Sequence, residues 1–298
     1  MNDENFAEDD DEDIGVGVPG TFDVASMTDP DELRDALKRA LRWADAGQHF
    51  DGPIPRALRR PYRLARDAWE GHGRKLQGKY LKRRRNIVRA MNRVHLYLPE
   101  LVHGPPQSVF ELSTGHGAVL EVLRHYGHEV MGNDFANMVS GRKNRPSALF
   151  RSLNDPEFIR EADDYGLPLT PDTSPDWPYR PIIESIGLPM AIFDAGKTPY
   201  PVADASHDYV LCLQAIEHYC HPRDWPGVLA EMRRIARRGI FILLNPMLPD
   251  LAARADYAAA FEAFRALLRR HDAEGFRCVG VFVHWGQALG FKLMRIDP

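Results

Sequence analysis

The chain has little cysteine and no long apolar run. Its 298 residues contain three cysteines, Cys212, Cys220 and Cys278, an odd and widely spaced set that argues against a disulfide framework and reads as reduced thiols. No apolar stretch approaches the roughly 20 residues of a membrane-spanning helix. No basic segment followed by an apolar one opens the chain, so no secretory leader is expected and cytoplasmic residence is the default. There is no internal repeat. His218, Cys220 and His221 are crowded together without a second pair of ligands, so a metal site is not expected.

What the chain does have is enough apolar content for a sizeable core, with 44% hydrophobic residues. The formal charge of −4 conceals segregation. An acidic run, Asp9 to Asp13 with Asp3, Glu4 and Glu8, marks residues 1–30 as a disordered leader. Lys79, Lys82, Arg83, Arg84 and Arg85 cluster later. Residues 31–106 read as a helical region: Asp31 to Leu41, Tyr62 to Trp69, then a longer helix with Leu76, Tyr80, Ile87, Met91 and Val94 on its apolar stripe and arginines on a solvated face.

The most informative unit runs from Ser108 to Asp134. Val109, Phe110 and Leu112 make a short buried strand, and Gly115 and Gly117 bring the backbone close to whatever lies above its end. Ala118, Val119, Val122, Leu123 and Tyr126 follow at helical spacing, and Gly127 ends that helix. Val130 and Met131 then lead into Asp134, whose carboxylate suits the two hydroxyls of a ribose. Leu120 stands where a dinucleotide site wants a small residue, which disfavours a nicotinamide oxidoreductase.

The stretch ELSTGHG with its following acid resembles motif I and the ribose-binding acid of class I S-adenosylmethionine-dependent methyltransferases, usually written (D/E)xGxGxG. Ser113 replaces the first glycine, a departure that a negative φ at Ser113 would accommodate. A second block, Phe193 to Pro246, is similar to the same family. TPYPVADASHD resembles its LPFPDxSFD segment, and Glu217 and His218 match its EH. Between these lies a strand from Tyr209 to Leu213. An amphipathic helix closed by Gly239 and a strand from Ile240 to Leu244 follow. The two blocks cover about half of the chain.

The resemblance implies an α/β fold with a Rossmann-like seven-stranded sheet in three αβα layers, spanning residues 107–298. The last two strands, Phe276 to Val283 and Phe291 to Ile296, would form an antiparallel edge after a helix bearing Phe261, Phe264, Leu267 and Leu268. The long stretch between Asp134 and Asp194 implies an insertion at about 140–189. With Trp177 and Tyr179, it is either a surface excursion or a lid over the acceptor.

The implied cofactor is S-adenosylmethionine, leaving as S-adenosylhomocysteine. Glu111, Ser113, Gly115 and Gly117 would receive its methionine portion, and Asp134 beside Phe135 its ribose. Asp194 and the Ala195 backbone would read the adenine, with Gln214 completing the pocket. A strand-end aspartate can instead simply cap the next helix. His218 is the candidate proton acceptor, because its unperturbed pKa of about 6.5 lies near neutrality; its alternative role is to support the loop. QAIEH occupies the place of the (D/N/S)PP(Y/F/W) motif of amino-methylating DNA enzymes, so a small-molecule or glycan acceptor is favoured over nucleic acid. The reading is a methyltransferase acting on oxygen, nitrogen or carbon. Its alternatives are a non-catalytic S-adenosylmethionine-binding protein and, less favoured, an NAD-dependent oxidoreductase.

Overall fold

Period-two alternation in the central strands sets the architecture. Val109, Leu211 and Phe241 turn to one face while Phe110, Val210 and Ile240 turn to the other, and both sets are buried. A sheet apolar on both faces must be covered on both, which gives three layers. The computed structural model describes residues 52–64, 81–135, 179–218, 220–247, 252–284 and 288–296.

In chain order, helices α1 (Arg83–Tyr97) and α2 (Pro99–His103) precede β1 (Ser108–Leu112), α3 (Ala118–His125) and β2 (Glu129–Asp134). After the undescribed stretch come α4 (Arg180–Ile186), β3 (Met190–Ile192), β4 (His207–Leu213), α5 (Trp225–Ile235) and β5 (Ala236–Leu244). Helix α6 (Ala255–Arg269) and strands β6 (Asp272–Ala273), β7 (Phe276–His284) and β8 (Ala288–Arg295) finish the fold. The strand order is β3-β2-β1-β4-β5-β8-β7-β6. Strands β1 to β5 are mutually parallel, and β8 runs antiparallel to both β5 and β7. The Rossmann-like α/β class is therefore as expected. The antiparallel pair β8 and β7 ends the sheet as expected; the one difference is that the described residues contain eight strands, the extra one being the two-residue β6 beyond β7.

Helices α1 to α4 cover one face through Ile87, Leu120 and Ile183, and α5 and α6 cover the other through Trp225, Met232 and Phe264. Several boundaries move from the sequence expectation. Gly239 does not close a helix but sits within β5, where the Tyr209 ring would lie 2.6 Å from any Cβ. Leu267 is 40% exposed, off the apolar face of α6.

The basic run is only partly a solvated face. Arg83 forms a bidentate pair with Glu121 of α3 at 2.6 and 2.8 Å and lies over the Tyr62 ring. The end of the expected insertion is ordinary crossover structure: Tyr179, Ile182 and Ile183 are buried, and α4 leads directly into β3. The expected leader at residues 1–30, the expected helix Asp31 to Leu41, Leu76, Tyr80, Trp177 and residues 140–178 lie outside the described residues, and Tyr62 to Leu64, the described start of the expected second helix, are not helical.

Candidate functional site

The parallel strands all end on one side of the sheet, the side where open α/β sheets bind ligands. There β1 leads into a tight turn. Ser113, Gly115 and Gly117 adopt φ of +52°, +55° and +75°. Ser113 thus does not take the negative φ that would have excused its substitution for glycine. Left-handed backbone costs a non-glycine residue about 1–2 kcal/mol, and the neighbouring turn offsets it. Thr114 N–H donates to Asn133 O, Thr114 Oγ1 to Glu111 O, and Gly117 N–H to Thr114 O. At Gly117 a Cβ would come within 2.5 Å of Leu188 Cδ1, whereas the space beside Gly115 is open.

Asp134 ends β2 fully buried. Its Oδ2 accepts the Gly115 N–H at 2.9 Å and its Oδ1 the Phe135 N–H at 2.8 Å. Burial pushes its carboxyl up to about 7, against the pull of those two N–H groups. Glu111 lies one residue inside the end of β1, also buried, with Oε2 unpartnered among the described residues. Burial raises it to about 8, with Arg93 opposing and Asp134 adding to the rise. Two buried acids thus lie at neighbouring strand ends, and burial favours the neutral form of each.

Beyond β3, Asn133 Nδ2 donates to Ala191 O and Phe193 O, fixing the strand exit that presents Asp194. Asp194 Oδ1 accepts the Gly196 N–H at 2.9 Å, and Lys197 Nζ stands 3.6 Å from Oδ2. No helix follows before β4, so these bonds shape a turn rather than a helix cap. The Ala195 carbonyl accepts the Tyr200 hydroxyl at 2.7 Å, which braces the loop.

At the end of β4, Gln214 also takes a left-handed φ of +56°. Its Nε2 donates to Asn245 Oδ1, and Arg93 Nη2 donates to its Oε1. Asn245, just past β5, is in turn clamped by Glu217, which accepts its backbone N–H at 2.5 Å and its Nδ2 at 3.3 Å. Burial lifts the Glu217 carboxyl to about 7. Glu217 therefore acts through Asn245 and Gln214, while half-buried His218 shares its short 3₁₀ turn, Ile216–His218.

Glu111, Ser113, Gly115, Asp134 and Gln214 thus gather at the ends of three adjacent strands, with Phe135, Asp194 and Ala195 on the β2 and β3 side. Sequence reasoning missed Arg93, Glu217 and Asn245 as members of this network. The available signal was the polar pair Asn86 and Arg93, one heptad apart beside the apolar stripe of α1. Among the described residues no group of His, Cys, Asp and Glu side chains could hold a metal ion, and no helix is long and apolar enough to cross a membrane.

The chain matches no protein-family model and no curated protein. Among solved structures it is similar to a SAM-dependent methyltransferase from Aquifex aeolicus, at 14% identity over 74% of this chain and 97% of that one, TM-score 0.42. It is also similar to magnesium protoporphyrin IX methyltransferase from Synechocystis with bound SAM, at 15% identity over 77% and 88%, TM-score 0.40. A third is a protein titled a putative Zn-dependent alcohol dehydrogenase from Rhodobacter sphaeroides, at 12% identity over 78% and 97%, TM-score 0.45. Likenesses this distant assign no activity; the fold class rests on strand order and direction.

Proposed function

We propose that the chain is an S-adenosylmethionine-dependent methyltransferase acting on an oxygen, nitrogen or carbon atom of a small molecule or glycan. One observation carries the reading: a buried acid with a spare oxygen, Glu111, an open glycine turn and a second buried acid, Asp134, converge at the ends of β1 and β2. An amino-acid ammonium, a chain of light atoms and a ribose need these partners in this order. The residues present fit the cofactor: Glu111 would accept the ammonium, and the backbone at Gly115 leaves room for the methionine portion. Asp134 retains lone pairs for ribose hydroxyls, and Asp194 with Ala195 borders the adenine end. Ser113, Gly117, Phe135 and Gln214 shape the walls.

When bound, the cofactor supplies a methyl group on a positively charged sulfur that leaves as a neutral thioether. The protein's part is alignment and the exclusion of water. His218, on the turn fixed by Glu217, is placed after the strand that ends at Gln214 and would take the proton released by an oxygen or nitrogen acceptor. QAIEH in place of a DNA-enzyme motif supports a small acceptor.

Incubation with radiolabelled S-adenosylmethionine and panels of phenols, amines and oligosaccharides tests the activity. Label transfer to one panel supports the reading and names the acceptor class. Tight cofactor binding with no transfer to any acceptor would favour a non-catalytic binding protein.

A further inference from the structure

A buried guanidinium and a buried carboxyl meet the end of β1 without touching. Arg93 reaches from α1 to Gln214 at the end of β4, and its Nε is buried with no partner among the described residues. Glu111 Oε2 is buried and unpartnered in the same way. The two groups sense one another through space, Arg93 drawing the Glu111 carboxyl down against burial, yet no salt bridge joins them. Separation leaves the Arg93 guanidinium with much of its desolvation uncompensated and lets burial favour the neutral Glu111 carboxyl. A structural ion pair would close that gap, as Arg83 of α1 does with Glu121 of α3.

The guanidinium is held where it is. Gln214 accepts from it and donates to Asn245, and Asn245 is clamped twice by Glu217. Along the opposite flank, Arg83 with Glu121 and Lys292 with Glu100 of α2 pin the helices that carry it. A fixed arginine with a spare N–H, near a buried carboxylate that it does not contact, suits a ligand carrying both charges on one carbon. That ligand class is an α-amino acid.

We propose that Arg93 binds the α-carboxylate of the cofactor's methionine portion, opposite Glu111 at the α-ammonium. The inference rests on the S-adenosylmethionine reading given above, and it brings the helical region preceding the sheet into the cofactor site. Arginine donates to carboxylates in a planar fork, so the contact is directional as well as charged. The ligand's two charges would then satisfy both orphaned atoms at once.

The test compares ligands with and without the groups in question. Wild-type protein is titrated with S-adenosylmethionine, decarboxylated S-adenosylmethionine and 5′-methylthioadenosine, which lacks the whole amino-acid portion. Loss of the carboxylate should weaken binding by about tenfold or more, the scale of a hydrogen bond to a charged group. In Arg93→Met that preference should vanish while 5′-methylthioadenosine affinity stays within about twofold. Equal wild-type affinity for the carboxylated and decarboxylated ligands overturns the proposal without any variant, and so does a variant that weakens all three ligands alike. A wild-type protein that binds none of the three overturns the methyltransferase reading itself, a separate outcome.

Discussion

The carboxylate of Asp134 accepts the backbone N–H of Gly115 across the gap between β2 and β1. The acid that ends one strand thereby holds open the glycine turn that ends its neighbour, so the two motifs form one unit. The Phe135 N–H occupies the other oxygen, and each oxygen keeps a second lone pair for a ligand hydroxyl.

Asp134→Ala should weaken S-adenosylhomocysteine binding by about 1.5–3 kcal/mol, the scale of lost charged hydrogen bonds. Calorimetric titration of the folded variant reads this directly. Unchanged affinity would mean that another residue holds the ribose.

Arg83 and Glu121 are side chains only 10% and 6% exposed, so neither charge is well solvated once its partner is gone. Arg83→Met or Glu121→Ala alone should cost about 3–5 kcal/mol, and the apolar double replacement considerably less than their sum. Urea unfolding of the three variants measures the coupling. Additive losses would show that the pair is not energetically joined.

Gly117→Ala should destabilise the protein by about 1–3 kcal/mol, from left-handed backbone and from contact with Leu188 and Ile183. Thermal unfolding gives the size. A variant as stable as the parent would show that the turn can move aside at no cost.

The pH dependence follows from raised carboxyl values. Glu111, at about 8 when folded, binds its proton more tightly than in the unfolded chain at about 4.3. Its protonated form stabilises the fold at low pH, and that contribution is lost as pH rises towards 8. Asp134 and Glu217, raised to about 7, add losses in the same direction. His95, His207 and His271 are lowered by burial and work oppositely, gaining stability as pH rises through about 6.5. Above pH 7 they are largely neutral in both states, so ligand-free protein should become less stable from about pH 7 to 8, chiefly through Glu111. Glu111→Gln should flatten that slope. An unaltered slope in this variant would assign the effect to other groups.

The sheet was legible because buried parallel strands carry apolar runs, and because Gly115 and Gly117 mark a tight turn with positive φ that few other residues adopt. The two-residue β6 was not, since so short a pairing leaves no apolar pattern. Asp134 was found from its spacing after Gly115, and Glu111 from the resemblance of ELSTGHG to motif I. Arg93 was not, because its role depends on α1 lying against β1 and β4, a tertiary contact, and arginines near an apolar stripe usually reach water. Glu217 was recognised in its motif, but its clamp on Asn245 joins the ends of two strands and leaves no local signature.

Calorimetric titration of the wild-type protein with S-adenosylhomocysteine and, separately, with NAD tests the central claim most directly. Saturable one-to-one binding of S-adenosylhomocysteine, undiminished by excess NAD, is expected. Binding of NAD with no heat from S-adenosylhomocysteine would contradict it.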